Sequence, residues 1–247
     1  MDQLPERARS LPDFVIIGAS KCGTTALITN LSQHPDVYAP TLGGSFELNF
    51  FNKNWSRGLG WYQSLFNRPD KLQGEKTPSY LSNRLCIHKM AAIIPQAKLI
   101  ITVRNPVDRA YSYWNHFNFS ESFQERENWR PMPFADAIRQ PVGPMTGALF
   151  GGFYARYIRN VFKIYRREQI HVIISERLRR NTEVEYSKLL RFLNLRDAPQ
   201  PFQNKHERSY TEPLDPKLRA TLNRYFIEPN SELRELLNDP IPEWEIL

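Results

Sequence analysis

Residues 14–31 read FVIIGASKCGTTALITNL, and this stretch decides the fold class. Its first part is a short apolar run, rich in branched residues, that ends at Gly18 as buried strands often do. Apolar residues at helical spacing then follow Thr24, and Pro35 closes that pattern. A strand, a glycine loop and a helix in this order predict a loop that binds an anion at the helix N-terminus.

The lysine of this loop does not stand where nucleotide triphosphatases have it. Their loop reads G-x-x-x-x-G-K-[ST], with the lysine directly after the second glycine. Gly18 and Gly23 have the same spacing here, but Thr24 follows Gly23 and the lysine is Lys21. The pattern therefore leaves open either an altered triphosphatase or a loop built for a different leaving group.

Two further apolar runs and three further helical patterns indicate an α/β fold. We predict strands within residues 98–104 and 169–178, and helices over residues 106–117, 154–166 and 182–193. Strands that alternate with helices predict a P-loop-like three-layer sandwich, with a central, mostly parallel sheet flanked by helices. We expect a single domain over residues 1–247, in which residues 119–150 form a long loop with a short helix.

The end of the second strand carries an arginine. Ligands of such sheets lie beyond the carboxyl ends of the strands, where both Gly18 and Arg104 are expected. A triphosphatase usually has an acidic residue there to hold magnesium. Arg104 would repel a metal and attract a second anion. This favours a nucleotide with a separate anionic group, bound without a metal.

Composition limits the kinds of binding partner and the cellular compartment that we expect. The net charge of +7 favours anionic partners, although a solvated basic surface without a partner has the same charge. No aromatic-basic signature of nucleic-acid binding is present. The two cysteines, Cys22 and Cys86, have neither metal-site nor disulfide-framework spacing, and the sequence has no signal peptide and no membrane span. We therefore expect a cytoplasmic protein, although an excised domain of a longer chain would look the same.

Several motifs resemble those of sulfotransferases that use 3′-phosphoadenosine 5′-phosphosulfate. KCGTTAL (residues 21–27) resembles their 5′-phosphosulfate loop, and VRNPVDRAYSYW (residues 103–114) resembles their 3′-phosphate segment. The resemblance is greatest for heparan sulfate sulfotransferases of the N- and 3-O-type and their bacterial relatives. It continues through FELNFF, GLGWYQSLF and EKTPSYL to LRATLNRYFIEPNSELRELL. It implies an enzyme that forms adenosine 3′,5′-bisphosphate from this cofactor and requires no metal.

The resemblance assigns residues to the cofactor. Lys21 would stabilise the negative charge that develops on the departing 5′-phosphate. Arg104 and Ser112 would hold the 3′-phosphate. QNKHERSY (residues 203–210) matches a basic loop that covers the cofactor, although the family's glycine-containing loop and flanking cysteine pair are absent here. The predicted cofactor-binding residues are Ser20, Lys21, Cys22, Gly23, Thr24, Thr25, Ala26, Arg104, Ser112, Lys205 and Arg208.

The resemblance also implies a catalytic set of Glu47, Lys21 and Lys76. Glu47 in FELNFF would act as the general base that removes the acceptor proton, and a structural salt bridge is the alternative for this residue. Lys76 in EKTPSYL would lie near the transferred sulfonate. Glu75 would orient Lys76 or be no more than its neighbour. His88 and His116 are not included, since isolated histidines are more often structural.

Two other functions and the acceptor stay open. The chain could be a P-loop nucleotide kinase or triphosphatase, or a non-catalytic module that binds an anionic glycan. For a sulfotransferase, the acceptor would be a carbohydrate or a small hydroxylated metabolite. We expect residues 40–46 and 119–150 to shape that choice.

Overall fold

A five-stranded parallel sheet forms the centre of the protein in a computed structural model, which describes residues 11–140, 146–197, 202 and 213–245. The strand order is β2-β3-β1-β4-β5, and every adjacent pair is parallel. The strands are β1 (Phe14–Gly18), β2 (Val37–Tyr38), β3 (Leu72–Lys76), β4 (Lys98–Val103) and β5 (Ile170–Ile174). The predicted α/β fold class is confirmed.

The central strand β1 is buried on both faces, as its unbroken apolar run predicts. Phe14 and Ile16 pack into the hydrophobic cluster on one face of the sheet, and Val15 and Ile17 pack into the cluster on the other. Phe14 lies opposite Gly74 of β3, where an added Cβ would come within 2.2 Å of the Phe14 ring. Only glycine lets the two strands pair here without moving that ring.

Helices cover both faces of this sheet and complete the three layers. They are α1 (Thr24–Ser32), α2 (Leu59–Ser64), α3 (Arg84–Ile93), α4 (Pro106–Asn118), α5 (Glu121–Glu127), α6 (Phe134–Ala137), α7 (Thr146–Phe150), α8 (Tyr154–Phe162), α9 (Ser175–Arg180), α10 (Thr182–Phe192), α11 (Pro216–Tyr225) and α12 (Ile227–Leu237). Among the residues that the structure describes, no helix is long and apolar enough to cross a membrane.

Helix α4 begins where the sequence indicates. The side chain of Asn105 accepts hydrogen bonds from the backbone amides of Val107 and Asp108, and Pro106 occupies the first helical position. This cap turns the chain directly after β4, so Arg104 lies at the junction of strand and helix.

Several regions differ from the sequence prediction, and the helix predicted over residues 154–166 ends at Phe162. The third predicted strand stops at Ile174, and residues 175–178 belong to helix α9. In the described part of residues 119–150, the structure has three short helices, α5, α6 and α7, where we expected one. Aromatic side chains of this region, among them Phe123 and Phe134, pack with Trp114 of α4, and this burial stabilises helices too short to persist alone.

Candidate active site

The loop between β1 and α1 is held by hydrogen bonds from two neighbouring strand ends. The Ala19 amide donates to the Thr102 carbonyl at 2.8 Å, and the Ser175 hydroxyl donates to the Cys22 carbonyl at 2.8 Å. Lys21 and Gly23 have φ angles of 69° and 85°, in the left-handed region. These turns bring the loop over the N-terminus of α1, where backbone amides and the helix dipole favour an anion.

One cavity of about 1060 Å³ opens over this loop. Small-molecule sites typically measure roughly 300–1,000 Å³, so the volume suits a nucleotide together with part of an acceptor. Every described residue of the predicted site lines this cavity: Ser20, Lys21, Cys22, Gly23, Thr24, Thr25, Ala26, Glu47, Lys76, Arg104 and Ser112. Lys205 and Arg208 lie outside the described residues.

The backbone of Arg104 is fixed beside the loop by a buried tyrosine. The Tyr154 hydroxyl donates to the Arg104 carbonyl at 2.8 Å and accepts from the Arg104 amide at 3.4 Å. The same hydroxyl lies 3.5 Å from Cys22 Sγ. Tyr154 therefore joins the glycine loop to the end of β4. Ser112 lies two turns along α4 and lines the same cavity as Arg104.

Glu47, Lys76 and Thr25 form a cluster on the other side of the loop. Lys76 Nζ donates to Glu47 Oε1 at 2.7 Å and to Thr25 Oγ1 at 3.1 Å. The Lys76 side chain is 4% exposed, whereas that of Glu47 is 39% exposed. The salt bridge considered for Glu47 is therefore present, but its partner is the other predicted catalytic group and the carboxylate faces the cavity.

Glu75 lies in the core on the opposite side of β3 from Lys76, because successive strand residues point to opposite faces. Its carboxylate accepts hydrogen bonds from the hydroxyls of Tyr62 at 2.6 Å and Thr77 at 2.8 Å. Burial raises the pKa of Glu75 to about 7. These contacts bind Glu75 to its own core cluster, so it does not orient Lys76 by direct contact.

Arg109 supports the glycine loop from below. Its guanidinium is buried and donates to the backbone carbonyls of Ser20 at 3.3 Å and Ala148 at 2.9 Å, and also to that of Gly147. Within the described part of the chain, its hydrogen bonds end on backbone carbonyls.

The structure also brings in residues that the sequence did not single out as part of the site. His116 lines the cavity, although it was left out of the predicted set, whereas His88 of α3 contacts Arg84 instead. Ser79 and Ser175 follow the carboxyl ends of β3 and β5, and this position could have indicated them as site residues. The other lining residues are Asn49, Asn52, Lys53, Pro78, Thr102, Tyr113, Phe117, Phe123, Glu127, Leu178, Arg179 and Phe202.

The arrangement suits an anionic ligand at one end and a proton acceptor at the other. Backbone amides, Lys21, Arg104 and hydroxyl groups surround the anion-binding end, and Glu47 faces the cavity beside Lys76. Among the described residues, no group of three or more His, Cys, Asp or Glu side chains is placed to hold a metal ion.

Comparisons with known proteins agree with this geometry. The model of the sulfotransferase domain family matches residues 11–217. A sulfotransferase of known structure from Alicyclobacillus acidocaldarius superposes with a TM-score of 0.73, at 27% identity over 94% of this chain and 98% of that chain.

Two curated relatives are much longer proteins. The heparan sulfate glucosamine 3-O-sulfotransferase 6 of Homo sapiens is 34% identical over 76% of this chain and 54% of its own length. The bifunctional heparan sulfate N-deacetylase/N-sulfotransferase 1 of Caenorhabditis briggsae is 29% identical over 96% of this chain. The match spans only 31% of that bifunctional protein.

Proposed function

The chain belongs to the sulfotransferase domain family, and we propose that it moves a sulfuryl group from 3′-phosphoadenosine 5′-phosphosulfate to an acceptor hydroxyl. The resemblance inferred from the sequence motifs is thereby confirmed at the level of the family. One observation carries the proposal. A single cavity joins the glycine loop, Arg104 and the Glu47–Lys76 pair, as in-line transfer from a nucleotide to an acceptor would require.

The residues at the anion-binding end fit the cofactor, which supplies the sulfuryl group when bound and departs as adenosine 3′,5′-bisphosphate. The amides of residues 20–25 would bind its 5′-phosphosulfate, and Lys21 would neutralise the charge that develops on the 5′-phosphate. Arg104 and Ser112 would bind its 3′-phosphate. The side chains of Lys21 and Arg104 both line the cavity, and neither of these positions offers a carboxylate that could hold magnesium.

Glu47 would act at the acceptor end. Its carboxylate is open to the cavity and would take the proton of the acceptor hydroxyl as that oxygen attacks sulfur. Lys76 Nζ donates hydrogen bonds to both Glu47 and the Thr25 hydroxyl, which keep the ammonium group beside the proposed base. In this position the ammonium group can stabilise negative charge on the transferred sulfonate.

The acceptor would be a carbohydrate or a small hydroxylated metabolite. The names of the curated relatives specify heparan sulfate, which supports a carbohydrate. Membership of the family favours a transferase over a nucleotide triphosphatase or a non-catalytic glycan-binding module. The cytoplasmic location and the single-domain organisation stay predictions.

A transfer assay with sulfur-labelled cofactor tests the proposed function. The purified chain would be incubated with desulfated oligosaccharides in one arm and with hydroxylated small molecules in the other, each with a chelator or with added magnesium. We expect label in one acceptor class, at the same rate in chelator and in magnesium. Nucleotide hydrolysis that requires magnesium, without labelled acceptor, would instead support a triphosphatase.

A further inference from the structure

A buried hydrogen-bond network connects Glu75 to the segment that carries Glu47. Glu75 is fully buried and accepts from the hydroxyls of Tyr62 at 2.6 Å, Thr77 at 2.8 Å and Tyr80 at 3.4 Å. A carboxylate buried without a cation in contact is costly unless its oxygens are satisfied, and here three hydroxyl donors satisfy them.

Two of these hydroxyls also hold the backbone beyond Glu47. The Asn49 amide donates to Thr77 Oγ1 at 3.2 Å, and the Phe51 amide donates to the Tyr80 hydroxyl oxygen at 3.2 Å. A hydroxyl group has one proton to donate. Because Thr77 and Tyr80 both direct that proton to Glu75, their lone pairs face the amides of Asn49 and Phe51.

We propose that Glu75 is a positioning residue for the transfer reaction, which in its ionised form orients the Thr77 and Tyr80 hydroxyls so that they fix residues 48–51. This fixes the Glu47 carboxylate beside Lys76, the next residue of β3. The Lys76 amide, which donates to the Phe46 carbonyl at 3.4 Å, joins the two segments on the other side of Glu47. The inference rests on the proposed function, but the network itself can be tested without it.

Protonation of Glu75 would disturb this arrangement, because a carboxylic acid must donate its own proton to one of its present donors. The titratable groups that face Glu75 are Tyr62 of α2, Tyr80 in the turn after β3, and Cys86 of α3, and burial raises the pKa of each. All three are therefore neutral near pH 7. Since burial raises the pKa of Glu75 itself to about 7, the network changes near neutral pH.

Amide hydrogen exchange measures the network directly. In the wild-type chain, we expect the protection factors of the Asn49 and Phe51 amides to fall about tenfold as the pH is lowered through the pKa of Glu75. Glu75→Gln replaces one acceptor oxygen with an NH₂ group and so mimics the protonated form. In this variant, both amides should have the lower protection at every pH.

Three tyrosine and threonine variants separate positioning from general destabilisation. Tyr80→Phe should lower the protection of the Phe51 amide alone, and Thr77→Val that of the Asn49 amide alone. Tyr62→Phe is the matched control. Among the described hydrogen bonds, the Tyr62 hydroxyl donates to Glu75 but accepts nothing from residues 48–51. Tyr62→Phe should leave the Asn49 and Phe51 amides protected at high pH. It should raise the pH at which their protection changes, because the carboxylate loses a donor and its pKa rises.

Activity provides the second readout. Glu75→Gln should lower kcat about 10- to 100-fold, as a small displacement of a reacting group does, and leave the Kd of adenosine 3′,5′-bisphosphate unchanged. The acidic limb that Glu75 adds to the pH profile of kcat should disappear. If wild-type transfer occurs but kcat and amide protection are unchanged in this variant, the inference is overturned. If no acceptor is ever labelled, the proposed function fails, and the exchange experiment still decides whether Glu75 orders residues 48–51.

Discussion

At the scale of single residues, the proposed base and its cationic neighbour have unequal access to solvent. Lys76 is 4% exposed and is held by two hydrogen bonds, whereas the Glu47 side chain is 39% exposed. The lysine can therefore stay in place while an acceptor approaches the carboxylate. Of these two side chains, only Glu47 is accessible enough to take a proton from a bound hydroxyl, whereas Lys76 is suited to a fixed, charge-stabilising role.

Glu47→Gln keeps the size of the side chain but cannot accept a proton. We expect kcat with a true acceptor to fall about 10²–10⁴-fold, as removal of a general base typically does. Titration with adenosine 3′,5′-bisphosphate on the same preparation should give a Kd near that of the wild-type chain, because Glu47 is not among the groups proposed to hold the nucleotide. Glu232→Gln, at a surface pair with Arg159, is the control. Near-normal turnover would remove Glu47 as the base.

Arg104→Ala tests the proposed 3′-phosphate contact. A charge-assisted hydrogen bond contributes about 1.5–3 kcal/mol, so the Kd of adenosine 3′,5′-bisphosphate should rise roughly 10- to 150-fold. Adenosine 5′-phosphate lacks the 3′-phosphate, and its Kd should change much less. Calorimetric titration of both nucleotides supplies an internal control, and equal losses for the two would contradict the assignment of Arg104.

At the scale of elements, helix α8 connects the two segments proposed to bind the nucleotide's anionic groups through its first residue. Tyr154 is buried, and its hydroxyl contacts Arg104 and lies 3.5 Å from Cys22 Sγ. Tyr154→Phe leaves the Arg104 carbonyl without this donor. We expect the unfolding free energy to fall by about 1–3 kcal/mol and the affinity for both nucleotides above to fall together.

A second tyrosine of the same helix provides the control for this prediction. The hydroxyl of Tyr157 donates to the Phe150 carbonyl at 3.1 Å in an exposed position. Tyr157→Phe should therefore change stability by less than about 0.5 kcal/mol, as exposed substitutions usually do, and leave nucleotide affinity unchanged. Urea unfolding and calorimetry on both variants would decide. A loss of affinity for only one nucleotide in Tyr154→Phe would contradict a shared anchor.

The strands and helices that the sequence predicted are those whose hydrophobic pattern or capping residues match their burial in the fold. Strands β1, β4 and β5 are apolar runs, and helix α4 carries its own proline and cap signals. Strand β3 reads LQGEK and was not predicted as a strand, because its polar residues are buried by hydrogen-bond partners outside the strand, which the strand's own pattern does not reveal. The side chain of Gln73, for example, accepts from the Arg68 amide, and that of Glu75 accepts from Tyr62.

The candidate site could be predicted in part for the same reason. The glycine loop and Arg104 follow from local strand-loop-helix patterns, and Glu47 and Lys76 were identified by resemblance. Ser175 lines the cavity because it directly follows the carboxyl end of β5, and that position could have indicated it. His116 lines the cavity from the last turn of α4, and its side chain carries no local signal of that placement.

At the scale of the whole molecule, the buried acid of the network has an energetic consequence. The pKa of Glu75 rises on folding from 4.5 to about 7, because burial disfavours the charged form. The folded chain therefore binds this proton more tightly than the unfolded chain does. The stability that results is fully present below pH 4.5 and is lost as the pH rises through about 7.

This loss can be isolated by comparing the wild-type chain with Glu75→Gln. From about pH 5 to about pH 8, the unfolding free energy of the wild type should fall relative to that of the variant by on the order of 3 kcal/mol. Burial lowers the pKa of His171 to about 4, and so destabilises the fold as the pH falls, but both proteins share this effect and it cancels in the difference. Urea unfolding at several pH values gives that difference. If this difference in unfolding free energy is constant with pH, Glu75 has the same pKa in the folded and unfolded chains. If it falls as the pH rises, the ionised Glu75 that orders residues 48–51 is maintained at a cost in stability.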